Sequence, residues 1–166
     1  MALSKKIIGY LDTQKYKYQI VEHRTTFTAW DTAQTEHVKP QDVSKALVLK
    51  LDKEHVVALI PANKNLDKQK FLKVYNALQK KNDGKPAKKV EFAKEVWMKK
   101  TLPGKVGATP PFAELLKLPI FADKVLLKSK KIYIGSGEYE YSFLLSSKDY
   151  FKKENPIVGS FSMKKK

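Results

Sequence analysis

The chain contains no cysteine, which excludes thiol catalysis, cysteine-ligated zinc and disulfide stapling. Arginine is almost absent as well: Arg24 stands alone, so the formal net charge of +16 is carried by lysine. Lysine attracts phosphate as a point charge but lacks the planar fork that reads bases, so phosphate-backbone contact is expected and sequence readout is not. No apolar run approaches the length of a membrane span, and Met1 to Ile8 soon meets polar residues without a long apolar core. A soluble, unprocessed, cytoplasmic protein with no membrane contact is expected. His23, His37 and His55 are scattered, and no Gly-x-Ser-x-Gly elbow, phosphate loop or dinucleotide fingerprint occurs. Neither a metal nor a cofactor is expected.

What is present describes one globular unit. At 166 residues, 42% hydrophobic and 11% aromatic, the chain can bury roughly two thirds of its unfolded surface in a single core. Leu3, Ile7, Ile8 and Leu11 have helical spacing, Tyr16 to Val21 reads as a strand, and Thr28 to Thr35 as a second short helix with a threonine cap. A strand through Lys45 ends near Leu51, Asp52 to Glu54 turns the chain, and His55 to Pro61 returns as its hairpin partner. Asp67 can cap a helix over Lys68 to Lys80, whose Phe71, Leu72, Tyr75 and Leu78 form one stripe. A loop over Lys80 to Lys89 and a helix from Val90 to Met98 are expected next.

Ala113 to Leu116 fits one helical turn, Leu118 to Ala122 and Lys131 to Ile134 fit strands, and Gly135-Ser136-Gly137 is a turn into the alternating Tyr139, Tyr141, Phe143 and Leu145. Asp149 to Phe151 fits a last helical turn. We divide the chain into a domain over 1–152 and a lysine-rich C-terminal tail over 153–166, expected to fray. A monomer is expected.

Lys45 is the informative residue. In Val43-Ser44-Lys45-Ala46-Leu47-Val48-Leu49, strand alternation sets it beside Val43, Leu47 and Leu49, where burial of an ammonium costs stability unless a partner or ligand meets it. The alternative makes Ser44, Ala46 and Val48 the core face and lets Lys45 snorkel to the rim. A second candidate is the run from Pro103 to Phe112, too rich in glycine and proline for helix or central strand, whose amides are therefore free to meet an oxygen. Lys80, Lys81, Lys85, Lys88, Lys89, Lys94, Lys99, Lys100 and Lys105 make nine lysines against the three acids Asp83, Glu91 and Glu95. All of these lysines but Lys94 are candidates for a phosphate-facing surface; a merely solvated face is the alternative.

Glu22-His23, Ser44 to Leu49, Val57 to Ala62 with Asn65-Leu66-Asp67, Gly107 to Phe112, Pro119 to Asp123 and Gly135-Ser136-Gly137 follow one another in an order that resembles the YbaK and prolyl-tRNA-synthetase-associated domain family. The resemblance spans about residues 15 to 150. It implies an α/β fold with a curved, partly closed, barrel-like mixed sheet flanked by helices. It also implies trans-editing, the hydrolysis of mischarged aminoacyl-tRNA of the Ala- or Cys-tRNA(Pro) type, with aminoacyl-tRNA and a synthetase as partners. Lys45 matches the family's near-invariant lysine and Gly107 to Pro111 its Gly-x-x-x-Pro loop.

On that reading Lys45, Gly107 and Ala108 are catalytic, the lysine orienting the terminal adenosine and the two amides holding the substrate carbonyl. Thr109, Pro110, Pro111, Phe112, His23, Gly135 and Ser136 would bind substrate. The chain differs from the family pattern at Pro110, where many members carry serine or threonine; here the hydroxyl falls one residue earlier, at Thr109. Two other readings remain: a binding module of the same fold that recognises an aminoacyl or nucleotide group without turnover, and a basic RNA-binding domain.

Overall fold

The computed structural model describes residues 3–165. Helix α1 (Lys5–Thr13) buries Ile7 and Leu11, one turn apart, and β1 (Tyr18–Glu22) follows. Helix α2 (Ala29–Glu36) starts where the Thr28 side chain accepts a hydrogen bond from the Asp31 amide, and His37 ends it in the left-handed conformation. Strands β2 (Ser44–Leu51) and β3 (Glu54–Pro61) form the expected hairpin, followed by β4 (Lys64–Leu66) and α3 (Lys68–Lys81), capped by Asp67 as its sequence suggests. Then come β5 (Val90–Phe92), α4 (Glu95–Thr101), α5 (Ala113–Leu116), β6 (Ile120–Asp123), β7 (Lys131–Gly135), β8 (Tyr141–Ser146), α6 (Ser147–Glu154), β9 (Ile157–Gly159) and β10 (Ser162–Lys164).

These strands make a mixed five-stranded sheet ordered β5-β2-β3-β6-β9, an antiparallel three-stranded sheet β1-β8-β7, and the pair β10-β4. The expected α/β class holds, but no sheet closes into a barrel, which corrects the partly closed sheet anticipated above. Both outer strands of the large sheet, β5 and β9, are only three residues long, too short to carry a ladder onward. The large and middle sheets instead meet at a seam, a parallel bridge between Val43 and Tyr133.

Two local expectations also change. Val90 to Met98 is not one helix: Val90 pairs with Leu51 as the edge of the sheet, and the helix starts only at Glu95. The segment after Lys152 does not fray either, because α6 continues to Glu154 and the chain then adds β9 and β10. The cause is a buried carboxylate. Asp123 accepts from the amides of Val125 (2.9 Å), Phe161 (2.9 Å) and Ser162 (2.8 Å), and Phe161, 0% exposed, packs edge-on against Phe71. Exposed lysines disguise a segment anchored by one aromatic ring and two amides.

Helix α6 is tied back to the start of the chain. Glu154 accepts from Tyr10 Oη (2.9 Å), Tyr16 Oη (2.7 Å) and the Ala113 amide (3.2 Å). Burial pushes the Glu154 carboxyl above its ordinary range, while those three donors pull the other way. Tyr16→Phe removes one of them and is expected to cost about 1 to 3 kcal/mol, read as a lower denaturant midpoint at unchanged slope.

Candidate active site

Beside the seam, the first turn of α2, the start of β2, the 103–112 loop and the β7–β8 connection enclose a solvent-open cleft of about 420 Å³. Lys45 lies on its wall and also on that of an adjoining groove with Leu47. Its strand face is the apolar one expected, shared with Leu47, Leu49 and Leu51, yet Val48 on the opposite face is buried too. The sheet is covered on both sides, so either alternation buries residues. Among the described residues no carboxylate or carbonyl pairs with the half-buried Lys45 ammonium. Burial, and secondarily the nearby Lys165 ammonium, bring its pKa down from 10.5 to about 8.

The loop opposite is held by close backbone contact. Gly107 has φ +90°, and a Cβ there would lie 2.6 Å from the Phe27 carbonyl oxygen. At Gly135 a Cβ would lie 2.5 Å from the Thr109 oxygen and 2.7 Å from that of Ala108. The missing side chain at Gly135 lets β7 and the loop touch, and that at Gly107 lets the loop touch the chain before α2. The Gly137 amide donates to the Ala108 carbonyl at 2.7 Å, the Lys105 amide donates to the Gly137 carbonyl at 2.8 Å, and Tyr139 Oη donates to the Val106 carbonyl at 2.6 Å. At its far end Tyr150 Oη donates to the Pro111 carbonyl at 2.6 Å.

Lys45, Gly107, Ala108, Thr109 and Gly135 thus come together in one cleft. The Ala108 amide, however, donates to the Lys105 carbonyl at 3.0 Å, while the amides of Gly107 and Thr109 meet no acceptor among the described residues. Pro110 and Pro111 are buried away from the cleft, and Phe112 belongs to the core, its ring centroid 5.1 Å from Tyr10 and 5.6 Å from Tyr16. Ser136 is fully buried; its hydroxyl donates to the Tyr141 carbonyl at 2.7 Å and accepts from the Glu138 amide. It is a turn fastener. His23 sits one residue behind the cleft, with Nδ1 2.8 Å from the Arg24 carbonyl and Nε2 3.0 Å from Ser142 Oγ, a lining hydroxyl. A carbonyl only accepts, so Nδ1 carries a proton and donates it to the Arg24 carbonyl.

The lysines separate. Lys80, Lys81, Lys85, Lys88 and Lys89 are exposed beyond the Leu51 end of β2, where the Lys88 amide meets Asp52 and Lys89 pairs with Glu91. That is about 20 Å from Lys45 along the strand, at 3.3 Å per residue. Lys99 and Lys100 are exposed on α4, whereas Lys105 pairs with the cleft residue Glu138 at 3.4 Å and lies over the Tyr139 ring. Sequence reasoning missed the hydroxyls of Thr26, Thr32, Ser44 and Ser142, which line the cleft. Ser44 donates to the Tyr133 carbonyl and Thr26 pairs with Thr32; no local pattern marks them, because the cleft they line is assembled from segments far apart in sequence.

Chemically the cleft offers a cation unpaired among the described residues, two loop amides and the Ser142 hydroxyl hydrogen-bonded to His23. Among the described residues no cluster of histidine, aspartate and glutamate could hold a metal, and no helix is long and apolar enough to cross a membrane. Solved structures show the same fold. A hypothetical protein has a TM-score of 0.79 at 18% identity, covering 95% of this chain and 99% of its own. A protein described as a "putative trans-editing enzyme for prolyl tRNA synthetase" has a TM-score of 0.75 at 20% identity, covering 99% and 100%. No curated protein matches in sequence. The profile of the aminoacyl-tRNA editing domain matches residues 23–153, so this chain belongs to the aminoacyl-tRNA editing domain family.

Proposed function

We propose that the protein is a free-standing hydrolase of mischarged aminoacyl-tRNA, acting on the ester of a small amino acid, alanine or cysteine on proline tRNA. The observation that carries this is the unpaired, half-buried Lys45 ammonium lining the same cleft as the free Gly107 amide. An aminoacyl ester is already activated, so a positioned water suffices. Its oxygen bonds to the carbonyl carbon, the ester C–O bond breaks, and the water proton passes to the leaving ribose oxygen. The Gly107 amide, and that of Thr109 where Ala108 was expected, receive the developing oxyanion. Lys45 holds the oxygens of the terminal nucleotide, and the small cleft sieves the amino acid by size, about 1 to 3 kcal/mol per methylene.

The test is a deacylation panel with tRNAs carrying alanine, cysteine, serine and proline, run with wild type and Lys45→Ala. Hydrolysis of one small aminoacyl ester, sparing of the prolyl ester and a loss on the order of 10²-fold in the variant are expected. Hydrolysis of none, or equal rates in both proteins, overturns the proposal. Because the Ala108 amide is committed within the loop, a second reading has one observation behind it: a module that binds the aminoacyl group without turnover. Saturable binding with no hydrolysis in the same panel would select it. A cytoplasmic monomer, acting alone or beside a synthetase, completes the proposal.

A further inference from the structure

Two ammonium groups near one another with no anion between them are unfavourable in an empty protein. Lys45 and Lys165 stand in that relation, and neither has an anionic partner among the described residues. Lys165 Nζ lies 4.4 Å from the centre of the Trp30 ring, on the helix whose first turn walls the cleft. On the other side, the groove that shares Lys45 runs past Met163 and Lys68 to Phe92, with Lys68 Nζ 5.1 Å over the Phe92 ring. Trp30 is 41% exposed, Phe92 53% and Met163 40%. Phe92 and Met163 line one groove with Lys45 and Lys68, so this open apolar surface is contiguous with the cations rather than scattered. The acid in the groove, Asp67, is engaged in capping α3.

Cations alternating with exposed rings are the chemistry of single-stranded nucleic-acid tracks: phosphates follow the ammonium groups and bases stack on the rings, without sequence readout. We infer that the rim Trp30–Lys165–Lys45–Lys68–Phe92 is a track for the unpaired 3′ end of an RNA, and that β10 exists to deliver Lys165 to it. Strand β10 reaches the rim by pairing with β4, Met163 opposite Asn65. The inference rests on the proposed function for its orientation, with the terminal ester entering the cleft past Lys45. It also moves the nucleic-acid surface away from the lysines of 80–89, which lie at the other end of β2.

The experiment is fluorescence anisotropy of the full chain with a short single-stranded RNA ending in CCA, titrated at several salt concentrations. Trp30→Ala and Phe92→Ala should each weaken binding about tenfold. Lys165→Ala should lower the slope of log affinity against log salt by about 0.7. All three side chains are on the surface, so unchanged melting temperatures accompany these losses. Neutralising Lys80, Lys81 and Lys85 together should leave this oligonucleotide's affinity unaltered. Wild-type affinity and slope in the three rim variants, or a loss confined to the 80–85 variant, overturns the inference. Rim-dependent binding of the oligonucleotide by a protein that hydrolyses no ester would uphold the track and reject the deacylase reading instead.

Discussion

Lys45→Met is expected to give a protein that melts about 2 to 4 °C higher and deacylates on the order of 10² times more slowly. The two effects share one cause. The ammonium is half-buried and unpaired, with a folded-state pKa of about 8 against an ordinary value of 10.5. Below pH 8 both folded and unfolded chains carry the proton, and the folded chain bears the full cost of desolvating it. Between pH 8 and 10.5 the unfolded chain holds more protons, so stability rises with pH across that window, and above it the cost is gone. Because solvent still reaches the group, only about 1 kcal/mol of this is counted, which for a chain of this size is the 2 to 4 °C named. Methionine keeps the length of the side chain and removes the charge, so it should recover that energy at neutral pH.

Activity should move the opposite way with pH. A cation that holds substrate oxygens is lost as pH rises through about 8, so kcat/KM should fall there with the slope of one ionisation. Lys45→Arg, which stays charged, should abolish that fall even where its rate is lower. A methionine variant that is less stable than wild type, or a rate profile flat across pH 8 in the wild type, would remove Lys45 from the role assigned to it.

Gly135→Ala should be nearly as damaging to catalysis, although it adds one methyl group outside the chemistry. The new Cβ would lie 2.5 Å from the Thr109 oxygen and 2.7 Å from the Ala108 oxygen. Neither neighbour is a side chain that can swing aside; both are backbone, so the loop itself must retreat by about 1 Å to reach ordinary contact, and such a displacement is worth on the order of 10² in rate. The loss should fall on kcat, since the Lys45 side of the cleft and the outer rim are untouched. A variant with wild-type kcat would mean that the loop's position does not matter to the reaction.

How much of this was readable depends on how local each cause is. The β2–β3 hairpin, the Asp67 cap and the glycine turn after β7 are written in adjacent residues, and the sequence shows them. Strand alternation also placed Lys45 on the Leu47 and Leu49 face, where it stands. Phe112 was misread, because its place at the end of a glycine- and proline-rich loop suggests a pocket wall whereas the ring is claimed by Tyr10 and Tyr16 from the other end of the chain. The C-terminal segment was misread for a similar reason: its lysines are visible, but the carboxylate of Asp123 that orders it is not. Trp30 and Lys165 show nothing singly. Their meaning arises only where β10 brings them together.

The seam at Val43 and Tyr133 makes the site a test of completed folding. Lys45 belongs to one sheet, and the loop across the cleft from it leans through Gly135 on another. The β2–β3 hairpin closes a short loop, whereas bringing β7 against β2 joins segments far apart in the chain and carries the larger entropic cost. A partly folded or damaged molecule therefore holds the cation without the amides, or the amides without the cation. On the proposed function, hydrolytic capacity arrives only with the finished fold, because both halves of the cleft must be in place.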